Sequence, residues 1–298
     1  MPFTITYLQA IVIGLIQGVT ELFPISSLGH SVLIPAWLGG SWAQLASSQS
    51  VAESPYLAFV VGLHVATALA LLLLFWRDWV KIITGFITSI RHRRIESTYE
   101  RMAWLIVIAT IPAGIIGLAF EHLFRTLFAK PLSAAIFLTI NGLILFGGEY
   151  LRRRSGHTEE AGGENSAEQD VRIAAAVSKR DAGVIGLVQS GALFAGLSRS
   201  VLTMVAGLLR GLNHEEAVRF AFLLATPVIL AAGVYKVPDL LGPLGAGIRG
   251  QALAGGIAAF LAALAAATFL VRFLRTRTLT PFAIYCLIFG AVSIIHFG

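Results

Sequence analysis

The sequence predicts an all-α polytopic membrane protein, with six spanning helices and two re-entrant helical hairpins arranged as inverted-topology repeats. Three observations support this fold class. The 298 residues are 56% hydrophobic and only 13% charged, with a mean hydropathy of +0.80, whereas soluble domains carry about 25% charged residues. Six long stretches lack charged side chains, and one polar motif occurs twice. The whole chain, 1–298, is therefore predicted to be a single membrane domain.

The six uncharged stretches are each close to the length of a bilayer crossing. About 20 apolar residues span the hydrocarbon core as a helix, with a working range of about 17–25. The predicted spans are 54–76, 102–120, 131–148, 220–235, 252–271 and 278–298. The single cysteine, Cys286, excludes an intramolecular disulfide and a metal site built from several cysteines.

The duplicated motif is an apolar half-helix, a break, a serine-rich turn and a second apolar half-helix. The first copy reads IGLIQGVTELFPISSLGH over 13–30, and the second reads IGLVQSGALFAGLSRSVLT over 185–203. The breaks fall at Pro24 and Gly196. Broken helices in membrane proteins usually place unwound backbone and helix ends around a polar substrate. A constant offset of 172 residues pairs Gly14 with Gly186, Gln17 with Gln189 and Ser26 with Ser198.

The basic residues predict the orientation of the chain. Seventeen of the 22 Lys and Arg residues fall in the connections 77–101, 152–180, 210–219 and 272–277. The positive-inside rule places these connections in the cytoplasm and both termini outside. The first hairpin then enters from the external face and the second from the cytoplasmic face, so that the two repeats are inverted.

The repeats are predicted over about 1–120 and about 181–277. A flexible cytoplasmic linker is predicted at 152–178, because its centre is rich in Gly, Glu and Ser. The basic clusters lie beside apolar segments, as is typical of anchors facing anionic lipid. The expected partners are therefore membrane lipids and not nucleic acid, and the sequence leaves a homodimer open.

Glu21, His30 and Arg199 are ionisable residues within apolar sequence, where such groups are costly unless paired or hydrated. Arg199 lies between two serines, a pattern that predicts an anion cradle, because a guanidinium binds two phosphate oxygens and hydroxyls add donors. Structural roles are the alternatives: a hairpin-locking carboxylate for Glu21, an interfacial anchor for Arg199 and packing for His30. His64, in the first span, is predicted to be a packing residue.

Ser26 and Ser27 are candidate nucleophiles, and His30 is a candidate base about one helical turn away. Glu21 is predicted to orient His30 or to bind a divalent cation, Mg²⁺ or Ca²⁺, that bridges phosphate oxygens. The spacing leaves open whether Ser27 or His30 is the covalent nucleophile.

The two motifs resemble those of the undecaprenyl-diphosphate phosphatase family, integral membrane enzymes associated with bacitracin resistance. The first family motif, Glu or Gln followed by Glu and Pro-x-Ser-Ser-x-Gly-His, is matched by Gln17, Glu21, Pro24, Ser26, Ser27, Gly29 and His30. The second, Pro-Gly-x-Ser-Arg-Ser with a following Thr, is matched by Gly196, Ser198, Arg199, Ser200 and Thr203, with Ala195 where the family usually has Pro. The resemblance covers nearly the whole chain except 41–53 and 152–178.

The resemblance implies a phosphatase of the bacterial cytoplasmic membrane that converts a long polyprenyl diphosphate, undecaprenyl diphosphate, into the monophosphate carrier lipid and phosphate. Its site is expected to face the external side. The predicted catalytic residues are Glu21, Ser27, His30 and Arg199, with Glu21 as the metal ligand. The predicted substrate-binding residues are Gln17, Ser26, Ser198, Ser200, Thr203 and Gln189, the repeat mate of Gln17.

Two other functions remain open. Inverted repeats with broken helices are also the sequence signal of a transporter, here a flippase for the lipid carrier. Gln17 replaces a frequent carboxylate and Ala195 replaces the usual Pro, which leaves open an inactive lipid-binding paralogue.

Overall fold

The computed structural model describes residues 5–47, 54–128, 130–154 and 165–298. Every regular element in these ranges is a helix, which confirms the all-α prediction. The α-helices are α1 (Tyr7–Leu22), α2 (Ser27–Leu38), α3 (Gly40–Ser47), α4 (Pro55–Leu74), α5 (Trp76–His92), α6 (Thr98–Phe128), α7 (Pro131–Arg154), α8 (Ser166–Ala176), α9 (Lys179–Gln189), α10 (Arg199–Leu209), α11 (His214–Leu241), α12 (Arg249–Phe273) and α13 (Thr280–Phe297). Two short 3₁₀ turns lie at Ser190–Leu193 and Pro243–Gly245.

The six predicted spans are confirmed. Within the described ranges, six helices are long and apolar enough to cross a membrane: α4, α6 over Thr98–Phe120, α7, α11, α12 and α13. The helix α5, which carries charged residues at both ends, lies between the first two spans and was not predicted as a separate element.

The two copies of the motif form pairs of short helices, α1 with α2 and α9 with α10. Each of these four helices has 16 residues or fewer, which is shorter than the roughly 20 residues of a crossing. The second helix of each pair begins after a serine N-cap, whose hydroxyl accepts a backbone N–H: Ser26 from Gly29 and Ser198 from Val201. Ser26 and Ser198, which occupy equivalent positions in the two motif copies, therefore have the same role as N-caps.

The first helix of each pair packs on a spanning helix of the other half of the chain. The helix α1 runs along α12, and α9 runs along α6. Gly14 and Gly186 lie at these two crossings. A Cβ on Gly14 would come within 2.2 Å of the carbonyl oxygen of Gly255, and one on Gly186 within 2.5 Å of that of Ala109. The paired glycines thus permit the same close approach twice.

Part of the segment predicted as a flexible linker, 152–178, is helical and packed among the described residues. Residues 155–164 lie outside the described residues, but α8 occupies 166–176 and packs on α6 and α11. Asp170 of α8 is fully buried and binds the guanidinium of Arg219 with both oxygens, at 2.9 and 3.1 Å. This buried ion pair holds α8 against α11. The prediction rested on the small and polar composition of the segment, which does not reveal such a pair.

Arg219 also contacts a second carboxylate. Its Nη2 lies 3.0 Å from Oδ1 of Asp78 in α5. Its guanidinium stands over the ring of Phe75, 5.4 Å from the centroid. We call Asp78, Asp170 and Arg219 the Arg219 cluster. It ties α5, α8 and α11 together.

Candidate active site

The two serine-rich turns meet each other and are joined by one amide from α7. The Nδ2 of Asn141 donates to the carbonyl oxygen of Pro24 at 3.1 Å, and its Oδ1 accepts the N–H of Ser198 at 2.9 Å. Ser26 Oγ crosses from the first turn to donate to the carbonyl oxygen of Leu197 at 3.1 Å. The turns therefore hold a fixed position relative to each other.

The backbone of both turns is specialised for this contact. Gly196 has φ +113°, and a Cβ there would lie 2.4 Å from the carbonyl oxygen of Ala134. Ser26 has φ +69°, which is uncommon for a residue with a side chain. A strained residue persists only where its surroundings hold it, and both hydrogen bonds of the Ser26 hydroxyl do so.

Glu21, in the last turn of α1, is the centre of the polar cluster between these turns. Ser27 Oγ donates to Glu21 Oε2 at 2.5 Å, and Gln17 Nε2 donates to the same oxygen at 3.2 Å. The other oxygen, Oε1, binds Nη2 of Arg199. The structure thus brings together Gln17, Glu21 and Ser27 of the first motif copy with Arg199 of the second. A carboxylate within hydrogen-bond reach of a hydroxyl can accept its proton.

Arg199, at the first position of α10, has hydrogen-bond donors that are only partly paired within the described residues. Its side chain is 19% exposed, and its Nε is a buried donor that has no hydrogen-bond partner among the described residues. Buried donors are nearly always paired. Arg199 lines the cavity at the N-terminus of α10, and an incompletely paired arginine at such a position is suited to bind an anion.

His30 is not where the sequence placed it. Its Nδ1 lies 2.7 Å from the carbonyl oxygen of Ser26, and its Nε2 lies 2.8 Å from the hydroxyl of Tyr285 in α13. A carbonyl only accepts, so Nδ1 carries a hydrogen, and in the neutral ring Nε2 then accepts from the hydroxyl of Tyr285. The structure therefore does not bring His30 to Ser27 or Glu21: the Ser27 hydroxyl is bound to Glu21, and both His30 nitrogens contact other groups.

His64 lies in the position expected of His30. Its Nε2 is 3.3 Å from Glu21 Oε2, and it lines the same cavity as Ser27 and Arg199. The prediction that His64 is a packing residue is therefore wrong. The signal in the sequence was an isolated histidine in an uncharged span, and its distance of 43 residues from Glu21 along the chain concealed the contact. Asn141 was missed for the same reason.

The predicted substrate-binding residues separate into two groups. Ser26, Ser198 and Gln189 line the cavity. Gln189 donates from Nε2 to the carbonyl oxygen of Ala109 at 2.7 Å, and its buried Oε1 has no partner within the described ranges.

The three other predicted residues contact Glu21 or Arg199 and do not line the cavity. Gln17 binds Glu21, as given above. The hydroxyl of Ser200 donates to the backbone oxygen of Glu21 at 3.4 Å, and that of Thr203 donates to the backbone oxygen of Arg199 at 3.0 Å. All three therefore position Glu21 and Arg199, and their donors are not turned toward the cavity.

The cavity has a volume of about 340 Å³ and combines the polar cluster with largely apolar walls from α4, α6 and α11. The wall formed by α6 includes Gly114 and Gly117, and an added Cβ at either would meet no atom within 4 Å. The α6 wall therefore leaves open space beside the polar cluster. A molecule with a charged head and an apolar body matches this lining.

The predicted metal role of Glu21 does not fit the arrangement. In the part of the chain that the structure describes, no three His, Cys, Asp or Glu side chains converge. Both oxygens of Glu21 face hydrogen donors, from Arg199 on one side and from Ser27 and Gln17 on the other. A divalent cation would have to displace these donors.

Comparison with known proteins identifies the family of the chain. The family described as "Bacitracin resistance protein BacA" matches residues 10–292. The chain belongs to this family. It is 57% identical to the undecaprenyl-diphosphatase of Mycolicibacterium paratuberculosis over 99% of this chain and 98% of that protein. It is 54% identical to undecaprenyl-diphosphatase 2 of Frankia alni and 41% identical to the undecaprenyl-diphosphatase of Granulibacter bethesdensis, in both cases over at least 97% of either chain.

The structure shows the surroundings of Gln17 and Ala195, the two residues that depart from the usual motifs of the BacA family. Gln17 keeps a hydrogen bond to Glu21 without adding a second negative charge. Ala195 is buried in the second turn, and the positive φ of that turn falls on Gly196. Neither departure removes a contact of Ser27, Glu21 or Arg199.

Proposed function

We propose that this protein is an undecaprenyl-diphosphatase, which hydrolyses undecaprenyl diphosphate to the monophosphate carrier lipid and phosphate. The observation that carries the proposal is Glu21 bound on one side to the Ser27 hydroxyl and on the other to Arg199, within a cavity of otherwise apolar lining. The names and the 54–57% identity of full-length relatives support the same reaction.

In this proposal Ser27 is the nucleophile and Glu21 is its base. Ser27 Oγ attacks the terminal phosphorus, the bond from phosphorus to the bridging oxygen breaks, and the lipid monophosphate leaves. The Ser27 proton passes to Glu21 Oε2. Water then attacks the phosphoserine, its oxygen becomes part of the released phosphate, and Ser27 regains a proton. The 2.5 Å contact between Ser27 Oγ and Glu21 Oε2 supports this assignment.

Arg199 binds the phosphate in this reaction. Its side chain is 19% exposed while Nη2 stays on Glu21, and its Nε has no hydrogen-bond partner among the described residues. The helices α2 and α10 both begin at the cavity, with their serine N-caps in its lining, so that their positive dipole ends add to the attraction for an anion. Ser26, Ser198 and Gln189 are proposed substrate contacts, and the isoprenoid chain follows the open α6 wall.

His30 acts as a positioning residue, since it holds the carbonyl oxygen of Ser26 and thereby the turn that carries Ser27. A histidine nucleophile is the alternative left from the sequence, and the engagement of both ring nitrogens argues against it. A divalent cation, Mg²⁺ or Ca²⁺, enters the proposal only as a partner of the diphosphate, because Mg²⁺ is typically held by substrate phosphates with few protein ligands.

The two short helix pairs are proposed to be re-entrant hairpins in inverted repeats. Their length, the equivalent serine N-caps and the crossed packing of α1 on α12 and of α9 on α6 support this arrangement. From the positive-inside rule we infer that both termini and the opening of the site are external. Reporter fusions at Gly298 and within 155–164 should report opposite faces, and the same face for both would contradict the topology. A homodimer stays a prediction, tested by the mass of the protein–detergent complex.

The competing functions are a lipid flippase and an inactive lipid-binding paralogue. The experiment that separates them is phosphate release from undecaprenyl diphosphate by purified protein in detergent, where there is no leaflet to cross. We expect release by the wild type and none above background by Glu21→Ala. A wild type that binds the lipid and releases no phosphate would contradict the enzyme and favour the other two.

A further inference from the structure

The cavity of the candidate site is much smaller than the substrate proposed for it. Its volume of about 340 Å³ suits a drug-sized molecule, whereas undecaprenyl diphosphate carries a chain of eleven isoprene units. The diphosphate belongs beside Glu21 and Arg199, so most of the chain has to leave the cavity. An apolar chain has its lowest free energy away from water. The exit is therefore expected to lead sideways into the bilayer and not into the external solvent.

The exposed residues of the cavity lining identify this exit. Among the described residues of the lining, they lie on α6 and α11: Leu118, Ala231, Ala232 and Tyr235. Leu118 is 73% exposed and Tyr235 is 62% exposed. Both lie within segments that are long and apolar enough to cross a membrane, Thr98–Phe120 and His214–Leu241. The cavity therefore opens between two spanning helices, toward the hydrocarbon of the membrane.

We call this opening the α6–α11 slot. It is lined on α6 by Gly114, Gly117 and Leu118 and on α11 by Ala231, Ala232 and Tyr235. Four of these six residues are glycine or alanine, so the walls of the slot are formed largely by small side chains and backbone. A flexible apolar chain can lie against such walls without displacing a side chain.

Gly114 and Gly117 keep the α6 wall of the slot open. Glycine in a spanning helix usually permits another helix to approach closely. Gly233 of α11 is such a case, because an added Cβ would lie 2.3 Å from Cγ2 of Val65 in α4. At Gly114 and Gly117 an added Cβ would meet no atom of the described residues within 4 Å. Helix packing therefore does not account for these two glycines, whereas a ligand that fills the slot does.

An unpaired polar group lies beside the inner part of the α6 wall. Gln189 is only 2% exposed and lines the cavity. Its Nε2 donates to the carbonyl oxygen of Ala109, one helical turn before Ala113 of that wall. This bond fixes the amide, and its buried Oε1 has no partner among the described residues. Buried acceptors are nearly always paired, so Gln189 is a second, independent indication of a ligand in this part of the cavity.

We propose that the α6–α11 slot binds the isoprene units nearest the diphosphate, and that Gly114 and Gly117 allow the enzyme to accept long chains. This inference rests on the proposed function and adds the part of the site that recognises the lipid. The first units of the chain lie between α6 and α11, and the remainder extends among the membrane lipids. A short chain ends inside the cavity and does not need the slot.

Gly117→Leu tests the slot, because leucine favours a helix and its side chain would occupy the space that the chain needs. In detergent, we expect kcat/KM for undecaprenyl diphosphate to fall by about 10–100-fold, the effect of adding methylenes to a filled space. Farnesyl diphosphate has three isoprene units and is drug-sized. Its kcat/KM should therefore stay close to that of the wild type.

Gly147→Leu is the matched control. Gly147 lies in the spanning helix α7, and an added Cβ there also meets no atom of the described residues within 4 Å, but Gly147 does not line the cavity. This variant should hydrolyse both substrates as the wild type does. Unchanged use of undecaprenyl diphosphate by Gly117→Leu, or an equal loss with both substrates, would overturn the proposal.

A second measurement depends neither on turnover nor on a blocked slot. In Ser27→Ala protein, photoreactive p-benzoylphenylalanine would replace either Tyr235 of the slot or the neighbouring Val234, which is exposed and does not line the cavity. On illumination, we expect undecaprenyl diphosphate to crosslink mainly at position 235, with a lower yield in excess farnesyl diphosphate. Equal crosslinking at both positions would overturn this inference alone. Absence of hydrolysis by the wild type would instead contradict the proposed function.

Discussion

Arg199, which is partly buried, and Arg219, which is buried, both contact carboxylates, and they differ in how many of their hydrogen-bond donors are paired. Arg219 gives two hydrogen bonds to Asp170, meets Asp78 and stands over Phe75. Arg199 meets Glu21 with one nitrogen and leaves its buried Nε open. Burying an ion pair is costly, and that cost is offset only when the remaining donors are satisfied. The more fully paired Arg219 fits a structural role, and the less fully paired Arg199 fits the proposed role of binding a ligand.

The largest expected effect comes from Ser27 and Glu21, the pair beside Arg199 that we propose as nucleophile and base. Ser27→Ala and Glu21→Gln should each lower kcat by about 10³-fold or more, and the double variant should be little worse than either, because a nucleophile and its base act as a unit. Rates of phosphate release in detergent provide the measurement. Substantial activity in Ser27→Ala would remove the serine nucleophile and reopen a histidine mechanism.

Replacing each arginine by lysine tests the comparison itself. Arg199→Lys should lower kcat by about 10²-fold, because an ammonium cannot reproduce the guanidinium fork at a developing charge. Arg219→Lys should instead lower thermal stability, since removal of one partner from a buried ion pair costs about 3–5 kcal/mol and lysine keeps only part of the contact. Near-normal turnover in Arg199→Lys, or equal loss of turnover in both variants, would contradict the comparison. It would show that the number of paired guanidinium donors does not distinguish a ligand-binding arginine from a structural one.

A smaller effect is expected at His30. His30→Asn preserves a donor for the carbonyl oxygen of Ser26 and loses the contact with Tyr285, so we expect a decrease in kcat of about tenfold, comparable to one lost hydrogen bond. Tyr285→Phe is the matched control and should behave similarly. Complete loss of activity in His30→Asn with normal activity in Tyr285→Phe would return the proton-transfer role to His30.

The smallest effect concerns Gln17. Gln17→Glu would place a second carboxylate against Glu21 Oε2, where Gln17 Nε2 now donates at 3.2 Å. Two adjacent carboxylates need a proton or a cation between them. We expect a change in rate of only a few-fold and a lower Mg²⁺ or Ca²⁺ concentration for half-maximal activity. An unchanged cation dependence would contradict this reasoning.

The sequence predicted the spans and the main polar residues because both leave local signals. Uncharged stretches show the six crossing helices, and a motif repeated at one offset shows Glu21, Ser27 and Arg199. The sequence did not reveal contacts between residues that lie far apart along the chain. His30 was assigned to Ser27 because they are three residues apart, yet its partner is Tyr285, 255 residues away.

The same limit affected the segment that contributes Asp170 to the Arg219 cluster. Composition suggested a flexible linker at 152–178, but Asp170 makes a fully buried ion pair with Arg219 in α11, 49 residues away. Composition describes how much apolar surface a segment can bury. It carries no information about a single carboxylate whose partner lies on another helix.

The central claim, that the open donor of Arg199 binds the diphosphate, is tested most directly by a binding measurement without turnover. Farnesyl diphosphate would be titrated into the Ser27→Ala protein and into the same protein carrying Arg199→Lys or Arg219→Lys. Loss of a hydrogen bond to a charged group should weaken binding by about 10–100-fold for Arg199→Lys, while folded Arg219→Lys should bind as the parent does. Equal affinity in all three proteins would contradict the claim.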